Sequence, residues 1–226
     1  MRRWRDTRSR KGRLDSIREI TSDIWDVIKE ATPERRRALF GDVEYDWEHE
    51  VNTTSGAVSQ RTRLLAAIAG APYQPSEPNL FGKMLSALTI NFEQFTFIDI
   101  GSGKGRTLLM AAEWPFPRII GVELLPELHQ VAVGNIGKSP HKDRMESLCL
   151  DGRDYQFPPD PLVVYLFNPL PAAALGVTVE NLKRSLQETP RPLRIIYQNP
   201  TADDVLAGSG FLKKISSTHQ YSIYSN

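Results

Sequence analysis

The chain has 226 residues, 40% of them hydrophobic and 24% charged, with a formal net charge of +1; this is enough to bury one sizeable core and is ordinary for a globular domain with an extension. No run reaches the roughly 18 uninterrupted apolar residues of a membrane span, and no signal-peptide core is present, so a cytoplasmic protein is expected. One cysteine, Cys149, and four scattered histidines exclude an intramolecular disulfide and a thiolate cluster, and argue against metal chemistry.

The positive charge is concentrated at one end. Arg2, Arg3, Arg5, Arg8, Arg10, Lys11 and Arg13 face only Asp6 in residues 1–13, which read as a solvated, disordered arm, the alternative being an arm that neutralises the phosphates of a nucleic acid. Leu14, Ile17, Ile20, Ile24, Val27 and Ile28 then recur at spacings of three and four, the stripe of an amphipathic helix. Thr32-Pro33-Glu34 reads as a stop and a new start with Pro33 in the first turn. The stretch from Asp42 to Gly56 is polar and acidic, and Val58 to Ala69 is a further helix candidate, so residues 14–72 form an N-terminal helical extension. Pro72, Pro75 and Pro78 make residues 71–78 an extended, stiff connection. Residues 79–88, with Leu80, Met84, Leu85 and Leu88 on one side, are helical again.

From Phe95 the pattern changes to short apolar runs separated by helical stretches, as in a parallel sheet built of β-α units. Strands are predicted over 95–100, 118–123, 146–150, 162–167 and 193–198, and helices over 104–113, 126–137 and 172–187. Cys149, inside the apolar run Leu148-Cys149-Leu150, is expected as a small buried strand residue. After Pro200 a short helix through Leu206 leads to strands at 211–215 and 221–224, joined by a turn short enough for an antiparallel hairpin. The predicted fold class is α/β: a three-layer αβα sandwich with a mostly parallel seven-strand sheet ending in an antiparallel hairpin, plus the N-terminal helical extension. A dinucleotide-binding fold of two parallel halves has no need of that hairpin.

Asp99-Ile100-Gly101-Ser102-Gly103-Lys104-Gly105 lies between the first strand of the sheet and its helix, at the strand end where open α/β sheets bind ligands. Gly101, Gly103 and Gly105 remove side chains where the chain turns sharply and a ligand approaches the backbone. The first amides of the following helix point into the same crevice. Lys104 and Arg106 fall in that helix's first turn, where the macrodipole disfavours cations; they read as solvated side chains, the alternative being an anionic neighbour such as a carboxylate. Glu123 closes the second strand, twenty residues beyond Gly103, and at that distance can accept both hydroxyls of a ribose. A dinucleotide enzyme uses its acid in the same way. Asp99 separates the two, because a carboxylate beside the first glycine repels a pyrophosphate and suits an ammonium group.

In these residues the chain resembles the class I, seven-strand S-adenosylmethionine-dependent methyltransferases, over about residues 73–226. Phe40-Gly41-Asp42, Tyr73-Gln74-Pro75, Asp99 to Arg106, Gly121 to Leu128 and Tyr165-Leu166-Phe167-Asn168-Pro169 are similar to a group of small, mostly uncharacterised bacterial methyltransferases. The resemblance implies S-adenosylmethionine as cofactor, with Asp99, Gly101 and Gly103 lining its methionine end and Ser102 and Gly105 completing the binding turn. It further implies Glu123 on the ribose, Leu124 packed on the adenine and Asp151 receiving the adenine amino group. From the residues alone Asp151 is nearly as well explained as a loop cap. Tyr73 and Ser76 precede the sheet and are candidates to fold over the cofactor, as in seven-strand protein lysine methyltransferases; plain packing is the alternative for Tyr73.

Asn168-Pro169-Leu170-Pro171 follows the fourth strand and reaches the crevice beside the transferable methyl. Many amino-methyltransferases carry an Asn or Asp, two prolines and an aromatic there, so that a side-chain carbonyl and a proline-fixed backbone carbonyl accept hydrogen bonds from the target amine. Asn168 and Pro169 are the candidate catalytic residues, the alternative being a turn that starts the next helix. Leu170 and Pro171 replace the second proline and the stacking aromatic, which argues against a nucleobase. The expected function is methyl transfer to a nitrogen, a protein lysine among the acceptors, with a protein or small molecule favoured over nucleic acid and no membrane partner; acceptor and oligomeric state stay open. The alternatives are a non-catalytic cofactor-binding module that reaches nucleic acid through the basic arm, and an NAD-dependent oxidoreductase, which Asp99 and the hairpin disfavour.

Overall fold

A computed structural model describes residues 43–54 and 74–226; the basic arm, most of the helical extension and Tyr73 lie outside the described residues. The elements are α1 (Val43–Glu48), α2 (Pro78–Ser86), β1 (Thr96–Ile100), α3 (Arg106–Ala112), β2 (Arg118–Glu123), α4 (Pro126–Lys138), β3 (Met145–Cys149), β4 (Leu162–Phe167), α5 (Ala172–Glu188), β5 (Leu193–Gln198), α6 (Asp203–Ala207), β6 (Lys213–Ser217) and β7 (Tyr221–Ser225). The first five strands lie within a residue of their predicted bounds. β1 is buried at every position and β4 at all but its last, as parallel strands covered on both faces must be.

The sheet has the order β3-β2-β1-β4-β5-β7-β6. β1 to β5 are parallel, and β7 lies antiparallel between β5 and β6. A dinucleotide-binding sheet of order 3-2-1-4-5-6 has no such insertion. Side-chain alternation along β1 separates two cores. Phe97 joins Phe81, Met84 and Leu85 of α2 and Leu108 of α3 on one face, whereas Ile98 and Ile100 join Leu175 and Leu182 of α5 and Leu206 of α6 on the other. Helices thus cover both faces, giving the three predicted layers. Among the described residues no helix is long and apolar enough to cross a membrane.

Three expectations are corrected. The strand expected at 211–215 pairs instead over Lys213–Ser217: Phe211 and Leu212 pack against the α5 core as part of the connection, and the pairing residues form an exposed edge with a bulge between Lys214 and Ser216. Charge and a bulge on an edge strand discourage pairing with another chain. Cys149 is exposed, not buried, because it ends the outermost strand, β3, at the margin of the sheet.

The third correction concerns Lys104 and Arg106, which are 1% and 2% exposed. Both turn away from solvent onto residues 46–54. Arg106 donates through Nε to Thr53 Oγ1 at 2.6 Å, pairs with Asp46 Oδ1 at 3.1 Å and lies over the Tyr45 ring. Lys104 Nζ donates to Asn52 Oδ1 and the Thr54 carbonyl, each at 2.9 Å. Asp46 also accepts the Thr53 and Thr54 amides at 2.7 and 2.9 Å. Asn135 of α4 holds the same segment, accepting from Asn52 N and donating to the carbonyls of Asn52 and Lys104. The carboxylate beside Arg106 is therefore Asp46, sixty residues earlier in the chain.

Breaking a buried, hydrogen-bonded ion pair by removing one partner costs roughly 3–5 kcal/mol. Asp46→Ala is expected to lower the melting temperature by on the order of 10 °C; a melting curve that coincides with the wild type would remove the Asp46–Arg106 pair from the account of stability.

Candidate functional site

The strand order reverses at β1, whose neighbours are β2 and β4, and the crevice at the carboxyl ends of these strands is the place where such sheets bind ligands. A cleft of about 260 Å³ opens there, room for a small molecule and not merely for a water. β1 contributes Asp99 and the glycine turn, β2 contributes Glu123 and Leu124, the loop after β3 contributes Asp151 and Arg153, and β4 leads into Asn168 and Pro169.

The turn is built by positive φ. Gly101 has φ 80°, and a Cβ placed on it would lie 2.6 Å from Pro169 Cβ, so glycine there serves both the turn and the close approach of the β4 loop. Gly103 has φ 55° and directs its amide to Glu123 Oε2 at 2.8 Å. Gly105 caps α3 in the left-handed region. Ser102 is buried with its hydroxyl over Gly121, so what it offers the cleft is backbone.

Two carboxylates form the acidic floor. Asp99 is 3% exposed and accepts a hydrogen bond from Thr107 Oγ1. Burial pushes its pKa up to about 7, with the Thr107 hydrogen bond opposing and the Glu123 charge adding to the rise. Glu123 is raised as well, again by burial, with backbone amides working against it. Its Oε1 accepts from the Leu125 amide at 2.8 Å, and the Leu124 amide also stabilises the charged form, so backbone donors take up most but not all of its roughly four lone-pair sites. An anionic group is repelled by such a floor; a cation and hydroxyl donors are matched by it.

On the far wall, Ser76 Oγ lies 2.7 Å from Tyr165 Oη, and Tyr165 in turn donates to Gln198. All three are buried. The segment ahead of α2 is thereby fixed to β4 and β5, and Ser76 stands in the cleft wall. Asn168 has φ 44°, and its Oδ1 accepts from Thr201 Oγ1 at 3.0 Å and from the Thr201 amide at 3.4 Å. A backbone amide only donates, so the side-chain oxygen is turned towards Thr201. The carbonyl expected to meet a target amine is occupied, and what remains on Asn168 is its NH2 group and its backbone carbonyl.

Leu124 is 45% exposed at the opposite end. Asp151 is already engaged: its oxygens accept from Arg153 Nε at 3.0 Å, from a terminal guanidinium nitrogen at 2.6 Å and from the Arg153 amide at 2.9 Å. These bonds hold its carboxyl below the usual aspartate range. The residues missed by sequence reasoning are Thr107, Arg153, Gln198 and Thr201. Each acts by reaching back to a site residue, a relation with no signature in spacing.

No protein-family model matches the chain, and no curated protein matches it. Among solved structures, the chain is similar to a predicted N6-adenine-specific DNA methylase from Listeria monocytogenes, at 14% identity over 67% of this chain and 51% of that one, with a TM-score of 0.50; it spans about half the length of that protein. It also aligns with an RNA methyltransferase from Salinibacter ruber solved with S-adenosyl-L-homocysteine (18% identity, 67% and 92% of the two chains, TM-score 0.46). A SAM-dependent methyltransferase from Aquifex aeolicus aligns at 14% identity over 67% and 98%, with a TM-score of 0.49. At these identities the likeness is one of fold: the chain has the seven-strand, Rossmann-like sheet of the class I S-adenosylmethionine-dependent methyltransferases.

Proposed function

We propose that this chain binds S-adenosylmethionine in the cleft and transfers its methyl group to a nitrogen, with a protein lysine as the first acceptor to test. The observation that carries this reading is the pair Asp99 and Glu123, two buried carboxylates at the carboxyl edge of adjacent strands. Asp99 suits the ammonium of the methionine part. Glu123 closes β2 beside the cleft, where its carboxylate is placed to accept from a ribose hydroxyl, and Leu124 offers apolar surface to a planar base. A pyrophosphate is repelled at the same place, which disfavours a nicotinamide dinucleotide.

S-adenosylmethionine supplies a methyl on a sulfonium that is already a good leaving group, so positioning accounts for most of the rate. The chain's part is then to orient and to exclude water. Phe167, Pro169 and Leu170 give the acceptor side of the cleft an apolar wall, and the Asn168 carbonyl, held by the following proline, accepts from the incoming N–H.

Asp99 gives the reading a proton signature. Its folded pKa of about 7 lies above the model-compound value of 3.8, so the folded chain holds a proton that the unfolded chain has lost, and this group's contribution to stability declines as pH rises from about 4 to about 7. A cationic ligand favours the carboxylate. Binding is therefore expected to expel a proton at about pH 6 and none at about pH 8, with affinity rising between them; calorimetry in buffers of different ionisation enthalpy reads this directly, and proton-neutral binding throughout would contradict it. Asp99→Asn is expected to abolish cofactor binding while raising the melting temperature of the unliganded protein at about pH 8 by a few degrees.

Asn168→Gly preserves the left-handed backbone and removes the side chain. The backbone carbonyl is kept but loses its tether to Thr201, so cofactor affinity is expected to stay within about twofold while S-adenosylhomocysteine release on lysate protein fractions falls about tenfold. Loss of cofactor binding in this variant would refute an acceptor-side role.

A further inference from the structure

We propose that Arg153 is a latch on the nucleoside end of the cleft, which must release Asp151 before that carboxylate can receive an exocyclic amine. The inference rests on the cofactor reading above and adds to it a residue that governs base selectivity.

The backbone of this loop is fixed. A Cβ on Gly152 would lie 2.7 Å from Ile100 Cγ2, the Gly152 carbonyl accepts from Thr178 Oγ1 at 3.3 Å, and the Arg153 carbonyl accepts from Asn181 Nδ2. The loop is thus tied to β1 and α5 independently of the Arg153 side chain. The Asp151 side chain is 14% exposed, against 53% for Arg153. An enclosed carboxylate on the cleft wall is therefore covered by a guanidinium that is itself largely in water.

A carboxylate has about four lone-pair sites. Asp151 uses them on the Arg153 amide, on Nε, which contacts both oxygens, and on a terminal nitrogen. An adenine amino group needs one of these sites, so it competes with the guanidinium. A solvent-exposed ion pair is weak and salt-sensitive, so the competition is reversible and the side chain can swing out without moving the loop. With Arg153 latched, the rim presents donors and suits an oxygen-bearing base edge; with Arg153 released, it presents acceptors and suits adenine.

The test is calorimetric titration of the full chain with S-adenosylhomocysteine and with S-inosylhomocysteine, in which an oxygen replaces the amino group. Arg153→Ala is expected to bind S-adenosylhomocysteine about 2- to 5-fold more tightly than the wild type at low ionic strength, the range open to an exposed ion pair. The gain is expected to shrink towards unity at about 0.5 M salt, to be absent for S-inosylhomocysteine, and to be absent when Asp151→Asn is already in place. Unchanged or weaker binding of S-adenosylhomocysteine by Arg153→Ala, or an equal gain for both ligands, overturns the latch. If the wild type binds neither S-adenosylmethionine nor S-adenosylhomocysteine, the cofactor reading fails and the latch falls with it; if the wild type binds and only the Arg153→Ala gain is missing, the latch alone fails.

Discussion

Two carboxylates kept out of water, Asp99 and Glu123, are the constraint around which the site is organised. Burial disfavours their charged forms, and the surrounding structure offsets this with dipoles in place of cations. Thr107, on the first turn of α3, donates to Asp99. The amides of Gly103 and Leu125 donate to Glu123. Gly103 has a positive φ and donates its amide to Glu123, so the glycine turn and the acid of the next strand form one unit. Partial compensation of this kind leaves the carboxylates raised in pKa and receptive to a positively charged ligand.

Cations close in sequence could have quenched that charge, and the fold directs them elsewhere. Lys104 and Arg106 follow the turn immediately, yet their hydrogen bonds among the described residues run to the segment 46–54, with Asp46 as the counter-ion of Arg106. That segment thereby has two effects. It compensates cations at a helix start, where the macrodipole disfavours them, and it reserves the acidic floor for a ligand. This gives part of the N-terminal extension a physical connection to the cleft.

The frame was legible in the sequence because it rests on local pattern. Apolar runs at β1, β2, β4 and β5 are long enough to be buried on both faces, and the turn from Asp99 to Gly105 combines residues whose backbone and charge requirements are visible one by one. What the sequence left ambiguous depends on partners far along the chain. Lys104 and Arg106 look solvated until Asp46 is brought against them. Asn168 looks available until Thr201 is found to hold its carbonyl, and Asp151 until Arg153 covers it. Cys149 failed for a related reason: an apolar run marks a strand, but only the sheet order shows that the strand is outermost.

The antiparallel insertion of β7 also acquires a structural role. Without it β5 would be close to the edge of the sheet; with it, β5 is flanked by β4 and β7 and five of its six residues are buried. Gln198, at the end of β5, can then be enclosed with Tyr165 and Ser76, and Thr201, three residues on, reaches Asn168. The wall facing the acceptor is therefore braced by a strand whose burial depends on the terminal hairpin. The hairpin that separates this fold from a dinucleotide-binding sheet is, by this route, also what holds the far side of the cleft in place.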